Sequence, residues 1–533
     1  MCENYVSNPG MPQFPEPYWR DSADIPSFPK PTGDMKVDVA IVGGGISGIT
    51  TAYLLVKDGV RVALVEAGNL SNGTTGHTTA KITAQHDIIY NELINHFGEE
   101  KAKLYYEANN SALQFIENTV HEHQIRCGFT REDACIYTNS EQYIKKIQDE
   151  YTSYQKLGIS GAYVETIPLP LPVKAAVVMK NQAQFHPLQY LAPLVSYIAG
   201  AGGAIYENTT AVDVEQGSEL KVITRDGSKI ACDHVISCSH FPFYDRYSFY
   251  FARMYAEKSY VLGVKISQEY PGGMYLSAED PKRSLRYTEL DHGEKLILVG
   301  GESHKTGQGI CTIKHYEALQ AFADETFGKN EILYRWSTQD LTTLDKVPYV
   351  GQISSRTPNV FVATGYRKWG MSNGTAAALL LRDLVLGKDN PYCELYAPSR
   401  FHADPDIKTF IVQNVDATKH FIEGKFEMRL PRPEDVANGQ GTAVMVDGKR
   451  CGAYRDDRGT LHIVDTTCTH MGCELEWNAA ERSWDCPCHG SRFSYEGDII
   501  EGPALNRLHH LGDDANIVEP SIVQKAPYST RVQ

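Results

Sequence analysis

Long apolar runs are missing from this 533-residue chain: none approaches the roughly 18 consecutive apolar residues that a membrane span needs. A membrane-spanning enzyme is therefore not expected. The opening MCENYVSNPGMPQFPEPYWRDS has no basic segment followed by an apolar one, and no twin arginine, so no export signal is visible and a cytoplasmic location is expected. Positive charge is also short, with 51 Lys and Arg against 66 Asp and Glu and a net charge of −15. Such a surface repels a phosphate backbone, which argues against nucleic acid as a partner. Cysteine is too dilute for a disulfide scaffold, at 12 in the whole chain. Cys127, Cys135, Cys232, Cys238, Cys311, Cys393 and Cys451 are scattered and read as small buried hydrophobes without a function. With 42% hydrophobic and 22% charged residues the composition is that of a folded, soluble protein, and the length calls for two or more domains.

The remaining cysteines cluster. CTHMGC at 468–473 is followed by CPCHGS at 486–491. Paired Cys knuckles of a structural zinc site could be fitted to these stretches, but a Cys-x-His loop followed by a Cys-x-x-His loop is not the usual zinc spacing. The two loops, with Gly472, Pro487, Gly490 and Ser491, closely resemble the Rieske family. That resemblance implies a [2Fe–2S] cluster with Cys468 and Cys486 on one iron and His470 and His489 on the other. It also implies a disulfide between Cys473 and Cys488, and a Ser491 hydroxyl directed at a bridging sulfide. Phe493 departs from the pattern, standing where the highest-potential members carry tyrosine, so a lower potential is expected. Upstream of the loops, TAVMVDGKRCGAYRDDRGTLHIVD reads as three strands joined by turns at Asp447-Gly448 and Arg458-Gly459.

Near the other end, VDVAIVGGGISGITTAYLLVKDGVRVALVEA reads as apolar strand, glycine-rich turn, helix, strand and acid. The fingerprint Gly43-x-Gly45-x-x-Gly48 would let a pyrophosphate approach the helix start, and Glu66 would accept bonds from ribose hydroxyls. A second glycine group, Gly200-Ala-Gly202-Gly203, follows a helical stretch and reads as a helix end. No second convincing fingerprint is present, which favours electrons entering from an organic substrate rather than from a nicotinamide.

Residues 35–395 resemble the FAD-dependent oxidoreductases of the D-amino-acid-oxidase-like, or glycine-oxidase-like, family. NGTTGHTTAKITAQHD resembles that family's segment under the flavin ring, and NVFVATGYRKWGMSNGTAAALLLRDLVLG its last strand and helix. The resemblance implies FAD contacts from Gly43, Gly45, Ile46, Ser47, Gly48, Glu66, Thr75, His77, Thr78, Val212, Gly365, Gly370 and Met371. In some demethylating relatives a histidine placed like His77 carries the flavin covalently. Lys368, ahead of the last helix, could help stabilise reduced flavin. In RWSTQDLTTLDKVPYVG, Asp340 stands where glycine-oxidase-like enzymes hold a carboxylate-clamping arginine. The reversed charge favours a cationic amine, although Asp340 could instead hold a turn, and Arg286 could supply an anion contact from elsewhere.

The expected architecture is an α/β FAD-binding Rossmann-like domain with an inserted α+β substrate domain, followed by a small all-β Rieske domain. Its bounds are an N-terminal extension at 1–34, a flavin unit at 35–400 with substrate segments at about 100–165 and 245–340, a linker at 401–424, and the Rieske unit at 425–533. The expected function is a dehydrogenase that oxidises a small amine-like substrate at a C–N bond and passes electrons through the cluster to an external protein or quinone-like acceptor. Reverse flow, in which the cluster feeds a flavin-dependent reductase or monooxygenase, and a redox-sensing or docking role for the Rieske unit are the alternatives. A ring-hydroxylating oxygenase is a poor fit, because no mononuclear-iron domain is evident.

Overall fold

The computed structural model describes residues 10–245, 248–290, 293–401, 403–423 and 430–511. The end of the expected Rieske unit, 512–533, lies outside the described residues. The apolar run Val39–Val42 is wholly buried and lies within a six-stranded sheet. It pairs in parallel with Val62–Val65 on one side and His234–Ser237 on the other, and a strand buried on both faces needs such an unbroken apolar run. Val360–Thr364 and Ala204–Tyr206 extend the sheet in parallel, and Tyr349–Gln352 closes one edge antiparallel. Helix Ile46–Lys57 leaves the glycine turn and packs closely beside helix Gly370–Val385, where a Cβ on Gly374 would lie 2.7 Å from Ser47 Oγ. The helix Pro187–Gly200 ends as its glycines suggest, with Gly202 at φ +88° and the Gly203 N–H bonded to Ile198 O.

A second, nine-stranded sheet stands beside this unit. Its long strands are Glu331–Thr343, Met254–Lys265, Lys295–Lys305, Thr130–Thr138 and Ala175–Gln184, mostly antiparallel. It therefore draws on residues beyond the two expected substrate segments, including the short strand Lys81–Ile82. The stretch expected as a linker contains the helix Ala403–Glu423.

The C-terminal unit is all β. Gly441–Val446, Lys449–Arg455 and Leu461–Asp465 form an antiparallel meander. Asp447 and Gly448 both take positive φ at its first turn, the geometry a two-residue hairpin demands. A four-stranded sheet follows, Glu476–Asn478, Ser483–Asp485, Arg492–Ser494 and Ile499–Glu501. Arg492 is buried in it between Asp485 at 3.0 Å and Glu501 at 2.5 Å. Burial opposes ionisation of Asp485, but Arg492 and Lys258 hold its carboxyl below the usual value. No helix among the described residues is long and apolar enough to cross a membrane.

Candidate active site and metal centre

The glycine turn opens onto a cavity of about 1040 Å³. Gly43 sits at φ +111°, and a Cβ there would lie 2.4 Å from Cys238 O, so the turn must be glycine to pass the neighbouring strand. A Cβ on Gly48 would lie 1.9 Å from Gly43 O, which is why helix and turn can pack directly. Gly48 thus supports the cradle without lining it, while Gly43, Gly45, Ile46 and Ser47 form its wall. Glu66 also lines the cavity, its carboxylate accepting the N–H groups of Gly44 at 2.7 Å and Gly68 at 3.0 Å. Burial raises the Glu66 carboxyl above its ordinary value, with those N–H groups opposing it. The opposite wall is the start of helix Gly370–Val385, where Gly370 and Met371 face the space. A narrow glycine turn, an acid and two helix starts around one cavity suit a dinucleotide.

Other expected residues fall in different places. Thr75 and Thr78 line the cavity, whereas His77 does not: its Nδ1 lies 2.9 Å from Gly73 O within its own turn, and its carbonyl accepts Trp336 Nε1. Val212 lies just beyond Thr209, Thr210 and Ala211, which form the wall in its place. Gly365, at φ +81°, supports the turn, since a Cβ there would lie 2.4 Å from Thr343 Cγ2. Arg286 is not at the cavity. It is buried over the Trp19 ring and donates to Ala80 O at 2.7 Å. Cys311, read above as an inert thiol, is disulfide-bonded.

Asp340 and Lys368 both line the cavity. Burial pushes the Asp340 carboxyl up to about 6, opposed by the nearby Lys368 ammonium and backbone N–H. Asp340 thus also holds the turn in which Arg367 and Lys368 take consecutive positive φ values. The Lys368 ammonium reaches Ser303 Oγ. Sequence reasoning missed Lys81, a fully buried cavity residue whose ammonium bonds Tyr275 O at 3.0 Å and Ser284 Oγ at 2.6 Å. Burial, aided by Arg286, pushes it down to about 7. A two-residue strand gave no periodicity from which to find it.

In the C-terminal unit the two cysteine–histidine loops converge. The Cys468 and Cys486 thiols hydrogen-bond each other, which draws Cys468 down to about 7 and raises Cys486. The His470 and His489 ring centroids stand 5.1 Å apart at 88°, and both Nδ1 atoms are buried without a partner. Burial holds each imidazole near 4, hence neutral and able to ligate. Two thiols and two orphaned imidazole nitrogens make the donor set of a Rieske cluster. Cys473 and Cys488 form a disulfide that ties the loops together. Their sulfurs lie within 4.8 Å of Cys486 Sγ, but being bonded to each other they offer no thiolate. Ser491 Oγ bonds Cys468 and accepts the Ala504 N–H at 3.2 Å.

The two sites share a boundary. His470 and residues Ile499 to Leu505 of the C-terminal unit line the same cavity as the glycine turn. Phe251 lines it too, and its ring meets those of both His470 and His489.

Comparison with known proteins agrees with this geometry. The family model for FAD dependent oxidoreductases matches residues 38–384, and that for the Rieske [2Fe-2S] domain matches 427–512. A Bacillus subtilis (strain 168) protein named as a Rieske 2Fe-2S iron-sulfur protein, YhfW, is 52% identical over 94% of this chain and 98% of its own. Among solved structures, glycine oxidase from Geobacillus kaustophilus has a TM-score of 0.58 at 20% identity, covering 69% of this chain and 99% of its own. L-proline dehydrogenase from P. horikoshii has a TM-score of 0.58 at 17% identity, covering 70% and 98%. The chain belongs to the FAD dependent oxidoreductase family and carries a Rieske [2Fe-2S] domain at its C-terminal end, making it an oxidoreductase of both cofactors.

Proposed function

We propose that the protein is a dehydrogenase that oxidises a small amine at a C–N bond and delivers the electrons, through its cluster, to an external one-electron acceptor. When bound, FAD supplies hydride acceptance and two-to-one electron conversion, and the cluster supplies single-electron transfer. The observation that carries the reading is the common cavity: His470, expected to ligate the cluster, lines the same space as Gly45 and Gly370, expected to hold the flavin. Glu66, Gly43 and Gly45 would hold the ribose and pyrophosphate, and Gly370 and Met371 would face the ring with the positive end of their helix.

The amine class is supported by Asp340 and Glu257, cross-strand neighbours that both line the cavity. An ionised Asp340 would hold a substrate ammonium, and Lys368 would keep that carboxylate ionised near neutral pH. Anaerobic titration of the purified holo-protein with a panel of amines and amino acids tests this, with flavin and cluster bleaching followed separately. Bleaching of both by an amine supports the reading. Bleaching only by a reductase partner would favour reverse flow.

A further inference from the structure

His470 and His489 both meet a side chain of the flavin unit. The Phe251 ring stands edge-on to His470 at 5.3 Å and 77°, and to His489 at 5.3 Å and 89°. Around that contact the cluster loop meets the flavin unit backbone to backbone. Gly307, at φ +70°, has room only because it is glycine: a Cβ would lie 2.6 Å from Pro487 N and 2.8 Å from Cys486 C. From the other side, a Cβ on Gly490 would lie 2.4 Å from Ala256 Cβ. Gln339, 2% exposed, donates to Gly490 O at 2.9 Å and accepts Thr306 Oγ1 at 2.6 Å. Its own carbonyl accepts Thr74 Oγ1 at 3.2 Å, and Thr74 lines the cavity. Gln308 Nε2 donates to Pro487 O at 3.1 Å. Farther out, Ala480 N–H donates to Thr312 Oγ1 at 3.0 Å, and Tyr316 Oη to Glu481 at 3.0 Å.

We propose that the Rieske unit is a fixed wall of the flavin cavity, with Phe251 as the positioning residue that seats the two cluster histidines, so that the histidine face is committed to this chain's own flavin and no domain swing is needed. Two glycines that permit backbone contact, and a buried amide with both ends satisfied, describe a permanent interface rather than a transient encounter. The electron-transfer arm of the test rests on the relay proposed above. The docking arm does not.

In the full-length holo-protein, flash photoreduction with deazariboflavin as donor injects electrons, and flavin–cluster equilibration is read at separate absorbance bands. The expected result is a first-order rate that is unchanged when glycerol raises the viscosity several-fold. Phe251→Ala should slow it about tenfold, because the histidines lose their seat. Gly307→Ala, outside the cavity lining, pushes a methyl group against the Cys486–Pro487 backbone; in preparations matched to the parent for cluster EPR amplitude and bound FAD, it should slow the rate and make it depend on viscosity. Hydrogen exchange should find the Ala480 N–H, which donates across the interface to Thr312 Oγ1, protected in the parent protein and exposed in Gly307→Ala. Fast but viscosity-limited equilibration in the parent protein, with the Ala480 N–H unprotected, would overturn the fixed wall while leaving the relay. A protected Ala480 N–H without any flavin–cluster equilibration would support the wall and overturn the relay. Unchanged rates in Phe251→Ala would remove that residue from the account.

Discussion

Replacing Phe493 with tyrosine places one hydroxyl in the apolar shell around the cluster. Phe493 is 0% exposed, lies opposite Trp484 on the neighbouring strand, and packs in one cluster with Cys468 and Cys486. A hydroxyl there has no access to water, so it needs an acceptor inside the shell, and the Rieske resemblance assigns that role to a cysteine ligand. Reduction adds negative charge to the cluster, so a bond to a ligand sulfur favours the reduced form and raises the potential. A net hydrogen bond is worth about 0.5–1.5 kcal/mol. For a one-electron couple about 1.4 kcal/mol corresponds to about 59 mV, so the rise should be about 20–65 mV. If the hydroxyl found no acceptor, the cost would instead appear as a loss of about 1–3 kcal/mol in stability. Protein-film voltammetry of Phe493→Tyr, with urea denaturation alongside, separates the two. An unchanged or lowered potential in a variant whose crystal structure shows the hydroxyl on a cysteine sulfur would refute the reasoning.

The other predictions follow from particular contacts. Asp340, raised to about 6, binds its proton more tightly in the folded protein than in the unfolded chain, so stability should fall by up to about 3 kcal/mol as pH rises from about 4 to 6. Asp340→Asn should remove that contribution, read as the difference in slope between parent and variant in urea denaturation, and should also abolish the loss of amine affinity expected below pH 6. Gly48→Ala drives a methyl group into the Gly43 carbonyl and should yield protein with little FAD, measured as the ratio of flavin to protein absorbance after purification. Arg492→Met leaves the buried Asp485 and the half-buried Glu501 without their shared partner and should destabilise the Rieske unit by about 3–5 kcal/mol, read as cluster loss at lower urea.

Both chemical centres were legible in the sequence because each is a local motif. The fingerprint glycines and the metal ligands each fall within short stretches, so the context around them could be matched to known families, although the carbonyl that requires glycine at position 43, that of Cys238, lies far along the chain. The β-meander was legible for the same reason, through the Asp447-Gly448 turn. What was hidden depends on residues far apart. Arg286 looked like a free cation until folding placed the carbonyls of Ala80 and Phe185 against it. The His77 ring turns toward Gly73, while its neighbours Thr75 and Thr78 take the cavity face. Lys81, Phe251 and Gln339 carry no distinguishing neighbours in the chain, and Gly307 is one glycine among 44. The roles of Phe251, Gln339 and Gly307 arise where two units meet, and that of Lys81 where distant strands of one sheet meet, and no one-dimensional period reports such meetings.

The central claim is that electrons pass from substrate through flavin to cluster, and Cys486→Ala tests it most directly. This variant lacks a cluster ligand but leaves the fingerprint glycines and the cavity walls contributed by the flavin unit intact. A folded, FAD-loaded preparation should still bleach its flavin in a single anaerobic turnover with an amine substrate, at close to the parent rate in stopped flow. Its steady-state turnover with a one-electron acceptor should fall steeply. Unimpaired steady-state turnover in the cluster-less protein would contradict the account.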